Sequence, residues 1–179
     1  MSNRTKDVLI VSVAASLLAV VSIVMVLAAG GGGFAQRLSV ANCQPLHSTT
    51  TTIQVSLSDG AGMMDGSLSM VSLAADVNSV HSGQVTFIAT NYGHMIHELL
   101  ILPEPTTGPG TRPPGADGKI DESLSLGEAS RSCGNAAGSG ISPGSKSWVT
   151  LNLAPGTYEL LCDVAWHYAN GMFTTLVVR

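Results

Sequence analysis

From Thr52 onward the chain alternates short apolar runs with clusters of Gly, Asn, Asp and Ser. TIQVSL leads into a turn at SDGAG, SLSMVSLAADV into one at NSVHSG, and QVTFIAT into Asn91, Tyr92 and Gly93, with HELLIL beginning at His97. Runs of that length, rich in β-branched and aliphatic residues and bounded by turn formers, predict strands. Between residues 103 and 145 the pattern dissolves into Pro, Gly and Ser, and only DGKIDESLSLGEAS has the makings of a short helix. Strand patterns resume with SWVTLNL, a turn at APG, and TYELL, and FTTLVV closes the chain. The reading is seven or eight short strands without heptads or internal repeats, which predicts an all-β sandwich or barrel.

The N-terminal part is of a different kind. Residues 8–29 are a run of 22 positions without a charge, broken only by Ser12, Ser16 and Ser22. As a helix this run extends roughly 33 Å, enough to cross a bilayer. It is longer than the roughly 7–15-residue apolar region of a cleaved secretory signal, so a retained transmembrane anchor is expected. Arg4 and Lys6 precede it, partly offset by Asp7. The positive-inside tendency then leaves residues 1–7 in the cytoplasm and exports the rest. Residues 30–52 open on four glycines and include HSTTTT, which predicts a flexible linker. The folded domain is expected at 53–179, with a loop insertion at about 103–145. The expected location is the cell membrane, single-pass, with the C-terminal domain outside the cytoplasm. From Ser48 onward eleven Asp and Glu stand against five Lys and Arg with no basic cluster, which argues against nucleic acid as a partner.

Candidate chemistry concentrates in CDVAWHYANGM, residues 162–172, where Cys162, His167 and Met172 follow one another at intervals of five. At roughly 100° per residue a helix would throw these side chains onto different faces, and a strand would spread them along roughly 30 Å. They converge only in a folded loop. TYELL before it and FTTLVV after it, with Asn170 and Gly171 as turn formers, predict strand, loop, strand. A thiolate, an imidazole and a thioether are three of the four donors of the His₂Cys site with a weak axial Met found in blue-copper electron carriers. The missing donor is another histidine. His47 falls in the linker and His81 in a turn, where solvated side chains are expected. His94 and His97 both follow the turn at residues 91–93, and His97 opens a strand that would hold it rigidly. With Cys162 as a ligand, Cys43 and Cys133 are left as a disulfide or as two free thiols. Met70 is read as strand packing, and Met63 and Met64 as turn residues, rather than as a Cu(I)-binding patch.

QVTFIATNYGHMIHELLIL followed by PGTYELLCDVAWHYANGMFTTLVV resembles the cupredoxins, the plastocyanin and azurin superfamily, and within it the sulfocyanin-like membrane-anchored copper proteins. The resemblance covers roughly residues 53–179 and rests on N-x-G-x-x-x-H-E with a late C-x4-H-x4-M. It implies a Greek-key sandwich of about eight strands with one type 1 copper at one end, bound by His97, Cys162, His167 and Met172. It also implies that electrons leave by the edge of His167, through an apolar landing patch with which Ala165, Trp166, Tyr168 and Ala169 are compatible. Three positions depart from the wider pattern. Glu98 stands where plastocyanins and azurins usually have Asn, although sulfocyanin-like relatives often have Glu. Trp166 stands where Gly is common, and His94 is an additional imidazole near His97.

The implied work is one-electron transfer by a monomer on the extracytoplasmic side, with a respiratory redox protein expected as partner. Cys162 would supply a strongly covalent thiolate, His97 and His167 would complete the trigonal plane, and Met172 would tune the potential from a longer distance. Val164, Ala165, Trp166 and Met95 are expected to exclude water. The alternative is a copper chaperone or storage protein outside the cytoplasm, which would favour exposed, exchangeable thiol or methionine donors. An enzyme is not expected, because the chain offers neither extra His pairs nor a second copper domain. A dinuclear copper centre would want a second Cys between Cys162 and Met172, and zinc is poorly served by Met.

Overall fold

Strand β1 (Thr51–Asp59) turns Ile53, Val55 and Leu57 inward and leaves the residues between them exposed, the alternation of a strand with one wet face. The computed structural model describes residues 43, 45, 50–60 and 70–179. The N-terminus, the membrane span and nearly all of the linker expected from the sequence lie outside the described residues, as do His47, Met63 and Met64. Among the described residues no helix is long and apolar enough to cross a membrane. Thr51 and Thr52, expected in the linker, already belong to β1.

Nine further strands follow among the described residues: β2 (Val71–Ala75), β3 (Ser79–Val80), β4 (Gly83–Asn91), β5 (Leu99–Pro103), β6 (Gly127–Ala129), β7 (Gly134–Asn135), β8 (Lys146–Leu153), β9 (Gly156–Leu161) and β10 (Phe173–Val178). They form two five-stranded sheets, one in the order β2-β1-β4-β8-β7 and the other β3-β10-β9-β5-β6. The all-β sandwich expected from the pattern is what the chain forms. The strand number exceeds the expected seven or eight because β3, β6 and β7 are two or three residues long, too short to carry a period. Met70, expected to pack in a strand, is a largely exposed residue just before β2.

The core lies between the sheets. Ile53, Leu57 and Phe87 from one sheet meet Leu99, Leu160 and Leu176 from the other, all fully buried. Each such side chain contributes about 1.5–3 kcal/mol through its removal from water. Strand β5 is buried on both faces, which explains why HELLIL reads as an unbroken apolar run. Leu99 and Ile101 face the sandwich core, while Leu100 and Leu102 join Ile120, Leu161 and Tyr168 in a second cluster.

The segment expected as a loop insertion supplies Ile120 to that cluster and is therefore part of the fold. Its β6 extends one sheet by pairing with β5, and its β7 extends the other by pairing with β8. The short helix expected in DGKIDESLSLGEAS is a single 3₁₀ turn, Glu122–Leu124, capped by Asp121. A buried ion pair fastens the same segment from behind the sheet. Arg112 Nε donates to Glu159 Oε2 at 2.7 Å, while the Gly110 amide and the Tyr168 hydroxyl donate to Oε1 at 2.7 and 2.9 Å. Glu159 is fully buried, so these donors replace the water it has lost. Cys43 and Cys133 form a disulfide across a sequence separation of 90.

Candidate metal centre

The turn after β4 explains the N-x-G-x-x-x-H spacing. Asn91 is buried, and its Nδ2 donates to the carbonyls of Met95 and Ile141, both at 2.7 Å, while its Oδ1 accepts from the Gly93 amide at 2.8 Å. The chain is thereby folded back so that His97 pairs with Ile141 in an isolated antiparallel bridge, 97 N–H to 141 C=O at 3.3 Å and the reverse at 2.7 Å. His97 precedes β5 and is held by a residue of the supposed loop insertion. No local pattern in the sequence announces that contact.

Gly93 has a specific reason to be glycine. A Cβ there would stand 1.9 Å from Oδ1 of Asp59, the last residue of β1. That oxygen accepts from the amides of His94 and Met95 at 2.8 and 2.9 Å and lies 2.9 Å from Nε2 of His97. Burial alone would raise the Asp59 pKa, but the Met95 and His94 amides and His97 outweigh it and hold the carboxyl down at about 2. In the sequence SDGAG has the composition of a turn and nothing marks Asp59 as a partner of His97, 38 positions away.

The other donors come from the end of β9 and the loop beyond it. Cys162 follows β9 directly, and its amide donates to the Met172 carbonyl at 3.1 Å, just ahead of the β9–β10 pairing that begins at Leu161 and Phe173. The loop between them closes on itself through a 3₁₀ turn, Tyr168–Asn170, terminated by Gly171 at φ 91°. The Met172 amide reaches back to the His167 carbonyl at 3.1 Å. A spacing of five thus becomes a closed loop that brings both ends to one place.

His97, Cys162 and Met172 are fully buried, and His167 is 8% exposed. The donor atoms of His97, Cys162 and His167 all lie within 4.8 Å of one another. Nδ1 of His97 is 3.2 Å from Nδ1 of His167, and Sγ of Cys162 is 3.4 Å from the His167 nitrogen and 3.9 Å from the His97 nitrogen. A triangle of that size suits bonds of about 2.0–2.3 Å from two nitrogens and a sulfur to one ion. The donors fit copper chemistry: one soft thiolate, two imidazoles, a buried thioether beside them and no carboxylate in the triangle. His94 is outside it, 91% exposed and 3.7 Å from the far oxygen of Asp59. His81 is exposed, as expected.

Compared with known families, residues 48–179 match the sulfocyanin (SoxE) domain model. The chain belongs to the sulfocyanin family. Among solved structures, an auracyanin from Roseiflexus castenholzii is 22% identical over 74% of this chain and 99% of its own, with a TM-score of 0.47. A rusticyanin from Thiobacillus ferrooxidans is 21% identical over 73% of this chain and 79% of its own, at a TM-score of 0.43. Auracyanin A from Chloroflexus aurantiacus, described as a "blue" copper protein, is 19% identical over 72% and 99%, at a TM-score of 0.42. No curated protein sequence matches the chain. The sulfocyanins are cupredoxins, and one type 1 copper is the cofactor that goes with this family and this donor set.

Two of the departures seen in the sulfocyanin sequence have structural reasons. At Glu98 the backbone links the two halves of the centre, its amide donating to Cys162 Sγ at 3.3 Å, while its carboxylate lies 3.9 Å from Lys119, which is also 3.7 Å from the buried Asp163. Trp166 has φ 68°, the left-handed region that costs a bulky side chain and favours glycine. It is held there by the hydrogen bond its amide donates to the Gly118 carbonyl at 2.8 Å, and its ring lies so close to Gly118 that a Cβ there would come within 2.6 Å. The water exclusion expected from Ala165, Trp166 and Met95 comes from elsewhere, since all three are exposed. Cys162 and Met172 instead sit in the main core cluster, with Ile141 and the partly buried Val164. Tyr168, expected in a surface patch, is buried against Glu159.

Burial pushes the Cys162 thiol up to about 12, against the smaller opposing effect of the Glu98 and Val164 amides. Burial and the neighbouring His97 lower the His167 pKa, which outweighs the pull of Asp59. The metal-free centre at neutral pH therefore holds a protonated thiol and a neutral His167. Loading a thiolate-bound ion should release about one proton, and affinity should rise with pH by about tenfold per unit. Calorimetry in two buffers of different ionisation enthalpy measures that proton, and a count near zero would contradict this assignment.

Proposed function

We propose that this protein carries single electrons through one type 1 copper held by His97, Cys162, His167 and Met172. The observation that carries the reading is the buried triangle of one thiol and two imidazole nitrogens, 3.2–3.9 Å on a side, beside a buried methionine. Copper supplies a Cu(II)/Cu(I) couple when bound, and the protein supplies fixed donors in a dry setting. Cys162 and Met172 are tied together by a backbone bond, His97 by its bridge to Ile141, and His167 by the closed 3₁₀ loop. Donors restrained in this way move little when the ion's charge changes, which favours fast electron exchange. The same burial disfavours a chaperone, which has to release its cargo.

The wider setting belongs to the same proposal. Residues 8–29 anchor the chain as a single membrane span, and the copper domain stands outside the cytoplasm, working as a monomer with a respiratory redox partner. The disulfide supports export, since such bonds persist in oxidising compartments. The test is to load the full chain in detergent with one equivalent of Cu(II) and follow its visible spectrum through a redox titration. An intense thiolate-to-copper band that bleaches and returns reversibly with one electron supports the carrier. Colourless copper binding, or copper lost on reduction, would overturn it.

A further inference from the structure

One oxygen of Asp59 gathers three nitrogens. Oδ1 takes the amides of His94 and Met95 and lies 2.9 Å from Nε2 of His97, and the side chain is only 8% exposed. Capping the turn needs only the two amides. The third contact reaches a donor of the proposed copper site from its far side, and Gly93 leaves the room for it.

An ionised carboxylate only accepts, so Nε2 of His97 has to carry the ring proton. In a neutral ring Nδ1 is then left with its lone pair, on the side where Cys162 and His167 stand. Two facing lone pairs at 3.2 Å would repel, so in the metal-free protein Nδ1 of His167 is the donor of that pair. The Asp59 charge also sits one imidazole ring away from the metal position. A hydrogen-bonded carboxylate makes the imidazole a stronger donor, and its negative charge favours Cu(II) over Cu(I).

We infer that Asp59 is a positioning residue of this centre, fixing the tautomer of His97 and holding the reduction potential below the value the four donors alone would give. The inference deepens the copper reading above and rests on it. Neither the loop spacing nor the four donors contain it, because the carboxylate arrives from the end of β1.

Two measurements test it. In the metal-free full chain, heteronuclear NMR of the histidine rings should show His97 protonated on Nε2 and His167 on Nδ1, and a His97 proton on Nδ1 would overturn the positioning role. In Asp59→Asn, which keeps an oxygen for the two amides, Cu(II) should bind about 10–100-fold more weakly. Cu(I) affinity should change little. Each tenfold excess of the Cu(II) loss over the Cu(I) loss raises the potential by about 59 mV, so the variant should be the stronger oxidant. A variant with the wild-type blue band and an unchanged potential overturns the tuning role. A wild-type chain that gives no blue band sinks the copper reading and the tuning with it, while the tautomer measurement still decides the positioning.

Discussion

Cys162→Ser removes the visible thiolate-to-copper band entirely and weakens copper binding by more than the roughly 10–100-fold typical of changes outside the donor set. The cause is chemical. A serine hydroxyl in this fully buried position stays protonated and offers a hard, weak oxygen where copper needs a soft, charge-donating sulfur. The Glu98 amide that donates to Sγ at 3.3 Å would meet an oxygen instead, and the two imidazoles remain. Residual copper should therefore give a weak, pale spectrum of ordinary Cu(II). An absorption titration beside electron paramagnetic resonance measures both effects, with circular dichroism to confirm that the sandwich has formed. A blue band surviving in the variant would remove Cys162 from the centre, and Cys43 and Cys133 could not replace it because they are bonded to each other.

Replacing Cys43 and Cys133 together by Ser should lower stability by about 4–5 kcal/mol and the melting temperature by roughly 10–20 °C, without altering the blue band. The bond closes a loop with a sequence separation of 90, so its loss returns considerable chain entropy to the unfolded state. The Cys133 amide also donates to the Lys146 carbonyl at 2.7 Å, fixing the short β7 against β8. None of the donor atoms belongs to that corner. A thermal melt of the metal-free full chain, with and without the substitutions, measures the difference. An unchanged melting temperature would mean that the backbone contacts alone hold the corner.

What the sequence revealed followed from how local each feature is. The loop of residues 162–172 was readable because its three donors, its turn residues and its flanking strands are contiguous. The alternation in β1 and the apolar run of β5 were readable because burial on one face or on two leaves a pattern. β6 and β7 left none, since GEA and GN in a stretch rich in Gly and Ser become strands only because a longer strand is there to pair with. The choice between His94 and His97 depended on Ile141, more than forty positions further on, and on the carbonyls that Asn91 collects. Asp59 looked like a turn residue because its second role exists only once β1 and the turn after β4 meet. Trp166 stood out as a departure, but its left-handed backbone and the glycine under its ring belong to the fold.

The disulfide has a further consequence for how the chain matures. Three cysteines allow three pairings, and only Cys43 with Cys133 leaves Cys162 free for metal. The native partners sit at one corner of the sandwich, whereas Cys162 is enclosed in the core with a thiol that stays protonated and hence a poor nucleophile. Closing the sandwich before oxidation thus sorts the thiols by itself. An oxidant that acts before the core has formed would meet all three on equal terms, and two of the three products would be permanently colourless.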